Sequence, residues 1–174
     1  MTHGMRTDLH SSYLQRGSGG RRDWRDTAQR YALVPLRVFL GVTFIYAALD
    51  KLTSSSFLHA SGAGSIGDQM RGVRDSAAIP QLVDLALKSP TGFGYAIAFG
   101  ELAVGIGTLI GLLARIAAVG GALISLSLWL TVSWAAEPYY LGNDLAYLMA
   151  WLPLVLAGAA VWSVDAWWRP RWRG

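Results

Sequence analysis

An all-α integral membrane protein, a four-helix bundle with an outer loop that carries a short interfacial helix, is the fold this sequence predicts. Three observations predict it. The 174 residues are 53% hydrophobic and only 15% charged, against about 25% charged in soluble domains, and the mean hydropathy is +0.34. Apolar runs recur at about 32–50, 92–113, 116–135 and 145–164. A hydrocarbon core of about 30 Å needs about 20 such residues at 1.5 Å rise each. Finally, the arginines that flank these runs collect on one side of the membrane once the runs are threaded through it.

The tail 1–30 contains RGSGGRRDWRD, rich in Gly and Arg and without periodicity, so it is expected to be disordered or to lie on the membrane surface. It has no apolar stretch of the kind a signal peptide requires. Arg21-Arg22 is followed by polar residues, which argues against a twin-arginine export signal. Residues 31–165 are the membrane domain. Run one begins with Pro35 in its first turn, where a missing N–H is tolerated, and ends at Asp50-Lys51. The outer loop 52–91 starts Gly- and Ser-rich and turns more helical. There Ile79, Leu82, Val83 and Ala86 recur at the spacing of a short amphipathic helix.

Runs two and three are joined by a tight turn at Ala114-Arg115 and so form an antiparallel hairpin. Run two carries Ala96, Gly100, Ala103, Gly107 and Gly111, and run three carries Gly121 and Ser125. Stripes of small residues let helix backbones approach closely in lipid. The Gly-x-Gly patterns are not nucleotide motifs, because no strand precedes them. Run four has Pro153 near its middle, which predicts a kink. A basic tail, 166–174, closes the chain.

Arg6, Arg16, Arg21, Arg22, Arg25 and Arg30 precede run one, Arg115 lies between runs two and three, and Arg169, Arg171 and Arg173 follow run four. The positive-inside rule therefore puts both termini in the cytoplasm. The net charge of +4 is read as topology and contact with anionic lipid, with no nucleic-acid partner. Trp129, Trp134, Tyr139 and Tyr140 belong to an outer aromatic belt, and Trp162, Trp167, Trp168 and Trp172 to an inner one.

Glu101 is the most informative residue. An ionisable group at that depth costs several kcal/mol if it faces lipid, so its carboxyl must point into the bundle. Counting rise, Arg37 lies roughly 7 Å and Glu101 roughly 18 Å inside the inner boundary. Arg37–Glu101 is then the expected buried pair, and Lys51 and Asp144 are expected together at the outer mouth. The plain reading is that these charges set helix register, although desolvation makes a buried pair a poor source of stability. The functional reading is a polar pocket for a quinone head group or small anion, built from Arg37, Lys51, Glu101 and Asp144 with Trp134 and Tyr140 on its wall. No residue is assigned a catalytic role and no metal is expected.

Cysteine is absent, and His3, His10 and His59 all lie outside the apolar runs. Disulfides, thiolate metal sites, cysteine-ligated clusters and a bis-histidine haem in the bilayer are thereby excluded on this chain. Redox chemistry here needs a diffusible small molecule or a partner protein.

The same residues carry a resemblance. LRVFLGVTFIYAALDKL resembles the first helix of the DoxX family, and GELAVGIGTLIGLLARIAA resembles its glutamate-containing helix with the arginine turn that follows. PYYLGNDLAYLMAWLPLVLAG is similar to the end of the DoxD-type small subunit of thiosulfate:quinone oxidoreductase. The likeness covers about 33–160, with Asp50 a departure from the pattern. It implies a multi-pass subunit of a quinone-linked oxidoreductase in the bacterial plasma membrane. A quinone would be held there without covalent attachment, beside a redox partner such as an iron–sulfur or other oxidoreductase subunit. The alternative is a non-catalytic anchor or assembly factor that docks a soluble redox enzyme through Phe57, His59, Ile79 and Leu82 of the outer loop. A small-solute or proton carrier is weaker, because four spans show no inverted repeat.

Overall fold

The apolar runs fold into helices, and the computed structural model describes residues 24–25, 27–29, 31–159, 161–164 and 167. The rest of the tails 1–30 and 166–174 lies outside the described residues, as do Trp168 and Trp172 of the expected inner belt. The chain divides into two units, Met1–Leu33 and Val34–Gly174. In the first, Trp24 and Arg25 are helical, with the Arg25 guanidinium 5.9 Å from the Trp24 ring centroid.

The second unit contains α1 (Val34–Thr53), α2 (Ile66–Val73), α3 (Pro80–Leu87), α4 (Pro90–Ile110), α5 (Ala114–Thr131) and α6 (Asn143–Ala157). Single 3-10 turns lie at Arg74–Ser76 and Tyr139–Leu141. Among the described residues, three helices are long and apolar enough to cross a membrane: the one that includes α1, then α4 and α5. The fold is an all-α membrane bundle. Its surface supports this, since Phe39, Tyr46, Phe99, Ile116, Leu123 and Leu156 are exposed while Ala48, Ala98 and Ala118 are fully buried. Large apolar side chains outside and small ones inside suit a lipid solvent, where helix association comes from close packing.

Two crossings show that packing. α1 rests chiefly on α4, and α5 on α6. A Cβ at Gly105 would lie 2.8 Å from the backbone nitrogen of Ile45 and 2.9 Å from the Gly41 oxygen, so α1 and α4 touch through backbone. At Gly121 a Cβ would fall 2.3 Å from the ring of Trp151, which is fully buried and meets Phe44 edge-on at 4.9 Å.

The α4–α5 turn lies at Gly111–Leu113, three residues before the Ala114-Arg115 turn that the sequence suggests. Gly111 has φ 69°. The Leu112 N–H returns to the Gly107 oxygen at 2.9 Å and that of Gly111 to Thr108 at 3.3 Å, a Schellman ending. α6 also stops earlier than the run 145–164. Its 15 residues span about 22 Å, and Pro153 lies inside it. Gly158, at φ 68°, turns the chain away, and Arg115 donates to the Leu156 oxygen at 3.1 Å.

The loop 54–89 carries two short helices. Ser65 caps α2 by accepting the Asp68 N–H at 3.2 Å. Pro80 opens α3 in its first turn. Ile66, Met70, Val83 and Ala86 bury their side chains together, with Phe57 and Phe93 packed against them. The Arg74 guanidinium grips both oxygens of Asp84 at 2.5 and 3.1 Å and holds that carboxyl below the ordinary range. The N–H of Ala78 reaches the Leu130 oxygen at 2.9 Å, tying the loop to α5.

Candidate functional site

Glu101 sits on the buried stripe of α4, between Ala98 and Val104. Lys51 is in the last turn of α1. The lysine Nζ donates to both carboxylate oxygens, at 2.8 Å to Oε2 and 3.1 Å to Oε1, and also to the Ala47 oxygen at 3.3 Å. All three N–H groups of the ammonium are thereby used. The carboxylate side chain is 5% exposed and the lysine 22%. Phe57 closes one side, with its ring centroid 6.0 Å from Nζ. A turn places it there: the Phe57 N–H donates to Ser54 Oγ at 3.2 Å, just past the end of α1.

Asp144, in the first turn of α6, completes the charged group. Its carboxylate accepts a short hydrogen bond from the Ser133 hydroxyl. It also lies within electrostatic reach of both Lys51 and Glu101. The group holds one ammonium and two carboxyls, so one added proton makes it neutral.

Of the two pairings expected from depth, Arg37–Glu101 is replaced, while Lys51 and Asp144 share the charged group without a direct bond. Glu101 pairs with Lys51 rather than Arg37, and Asp144 bonds Ser133 rather than Lys51. Side-chain lean explains the first exchange. In a helix the Cα–Cβ bonds tilt toward the N-terminus. α1 and α4 run antiparallel, so Arg37 and Glu101 lean apart while Lys51 and Glu101 lean together. Arg37, about 21 Å along α1 from Lys51, is 5% exposed and donates from Nη1 to the Val161 oxygen at 2.8 Å and from Nη2 to the Trp162 oxygen.

Among the described residues, none of the remaining candidates is a hydrogen-bond or ion-pair partner of this group. Trp134 and Tyr140 are exposed, and Trp134 rests on Trp129 with centroids 5.3 Å apart. His59 bonds its own turn, Nε2 to the Ser55 oxygen at 3.0 Å. Ile79 precedes α3 and Leu82 lies on it, both partly exposed. Sequence reasoning missed Ser133 as a site residue and gave Phe57 only a partner-binding role. The SSS-F turn after α1 was the available signal for Phe57.

The family model for DoxX matches residues 32–134. The chain belongs to the DoxX family. In this DoxX chain the matched segment carries α1 through α5, and with them Lys51, Phe57, Glu101 and Ser133. Asp144 and α6 lie beyond it. No curated protein and no solved structure matches the chain.

Proposed function

We propose that this DoxX-family protein is a membrane subunit of a quinone-linked oxidoreductase, of the thiosulfate:quinone oxidoreductase type. It works with a redox partner protein in the bacterial plasma membrane, with both termini in the cytoplasm. The observation that carries the reading is the Lys51–Glu101 contact of 2.8 Å, buried between helices whose other inward residues are mostly small and apolar. Intramembrane ionisable residues mark substrate and proton paths, and a buried ion pair is by itself a weak source of stability.

The residues fit a quinone head group. A bound quinone supplies an acceptor of electrons and protons at two carbonyl oxygens. Lys51 offers a cationic N–H to one such oxygen, and the longest of its three bonds, 3.3 Å to Ala47, is the one it releases most readily. Glu101, which holds Lys51, is the candidate to hand on a proton, with Asp144 the second carboxyl of the group. Phe57 supplies an aromatic wall that excludes water from one side.

The test is quinone reduction by the purified complex carrying Glu101→Gln. Loss of the general acid is expected to slow the reaction by about 10²-fold or more, with the partner still co-purifying. Full-rate reduction by an intact complex would make the chain a non-catalytic anchor. That anchor predicts instead that Ile79→Ser with Leu82→Ser releases the partner.

A further inference from the structure

A cavity of about 120 Å³ lies between the loop helices and the α4–α5 hairpin. Met70, Val83 and Ala86 form its loop side, and Phe93 and Ile97 its α4 side. Two hydroxyls from α5, on Ser127 and Thr131, also line it. Both are already satisfied within their own helix. Ser127 Oγ donates to the Leu123 oxygen at 2.7 Å, and Thr131 Oγ1 to the Ser127 oxygen at 2.7 Å. A cavity whose hydroxyls bond their own backbone suits hydrocarbon better than water, which needs two or more polar partners. Leu82 and Leu85 also line the cavity and are 39% and 62% exposed, so its mouth is itself apolar.

The cavity adjoins the charged group. Phe57 lies beside Lys51 Nζ and packs with Phe93 on the cluster of Met70, Val83 and Ala86. On α4, Phe93, Ile97 and Glu101 follow at four-residue intervals, so the cavity wall leads along one face to the carboxylate. We infer that this cavity is the tail subsite of the ligand whose head meets Lys51 and Glu101, and that it holds the first isoprenoid unit of a prenylated quinone. The inference rests on the quinone reading above. The size agrees: an apolar cavity of about 150 Å³ takes a six-carbon ring, and one isoprene unit has five carbons.

A tail leaving lipid for this cavity exchanges one apolar surface for another, so its gain is packing alone. The preference is therefore modest. The experiment measures binding to the full-length protein in nanodiscs of a benzoquinone ring without a chain and of the same ring with two isoprene units. The wild-type protein is expected to favour the prenylated ring about fivefold, a packing gain of the modest kind seen between apolar surfaces in lipid. Ser127→Leu and Ala86→Leu, which fill the cavity from α5 and from α3, are expected to bring that ratio to one while the bare ring binds unchanged. Unchanged binding of the bare ring also shows that each variant is folded.

Equal wild-type affinity for the two rings overturns the tail subsite and leaves the quinone reading standing. So does a preference that survives in both filled variants. A photoreactive alkyl diazirine without a quinone ring forms the second arm. If neither ring binds but the diazirine labels Met70 and Phe93, the quinone reading fails. The cavity is then a lipid acyl site, and the tail assignment fails with it.

Discussion

A carboxylate buried in an apolar helix keeps its charge only beside a cation, and the two partners of Glu101's ion pair are unequally exposed. Glu101 is 5% exposed and Lys51 22%. Removing the lysine strands a buried anion, whereas neutralising the glutamate leaves an ammonium that can turn toward the surface. Breaking a buried pair costs about 3–5 kcal/mol when one charge is left behind. Lys51→Met is therefore expected to destabilise the protein more than Glu101→Gln, and the double variant to recover part of the loss. Denaturant titration of the four proteins in mild detergent measures the cycle. Arg37→Gln, by contrast, is expected to add independently to Glu101→Gln, because Arg37 spends its Nη groups on Val161 and Trp162. A non-additive Arg37–Glu101 cycle would restore the pairing that depth alone suggests.

At the scale of the helix, glycines separate into those that admit a neighbour and those that do not. Gly121 holds the ring of Trp151, and a Cβ there would overlap it at 2.3 Å. Gly72, inside α2, has open space around it. Gly121→Ala is expected to cost about 1–3 kcal/mol by overpacking, and Trp151→Leu to return part of that. Gly72→Ala is expected to stabilise by about 0.5–1 kcal/mol through backbone entropy. Thermal melts of the three variants against wild type decide both signs. The small-residue stripe of run two was legible only in part. Gly100 and Gly107 meet Ile124 and Ala117 of α5, but Ala96 and Ala103 are exposed. The close contact with α1 falls on Gly105, outside that stripe. Which glycine faced a tryptophan was not legible, since a single chain gives no lateral pairing. The Ser65–Asp68 cap of α2 was written in the sequence as S-x-x-D, but the glycines around it masked a helix of only eight residues.

For the whole molecule, the orientation expected from the arginines makes the end bearing α2 and α3 extracytoplasmic. The chain lacks cysteine, so single replacements report without background. Asp75→Cys and Leu141→Cys in intact cells are expected to react with an impermeant thiol reagent, and Leu112→Cys in the α4–α5 turn only after lysis. The opposite pattern inverts the topology. The bundle class and the hairpin were legible, because hydropathy and run length dictate them. The charged group was only half legible. Glu101 was found inside an apolar run and Lys51 and Asp144 at the ends of runs. Their partners depended on side-chain lean and on a loop, which depth along a helix axis does not record. The end of α6 depended on one glycine with positive φ, invisible in an apolar run that continues past it.

The backbone contact at Gly105 and the ring seat at Gly121 have a mechanical consequence. Each crossing clamps two helices into a stiff pair, α1 with α4 and α5 with α6. Lys51 and Glu101 both ride on the first pair, while Asp144 rides on the second. A shift of one pair against the other would move the second carboxyl relative to the 2.8 Å bridge, whose two halves stay on one pair. The architecture thus puts both halves of the bridge on one clamped pair and the second carboxyl on the other.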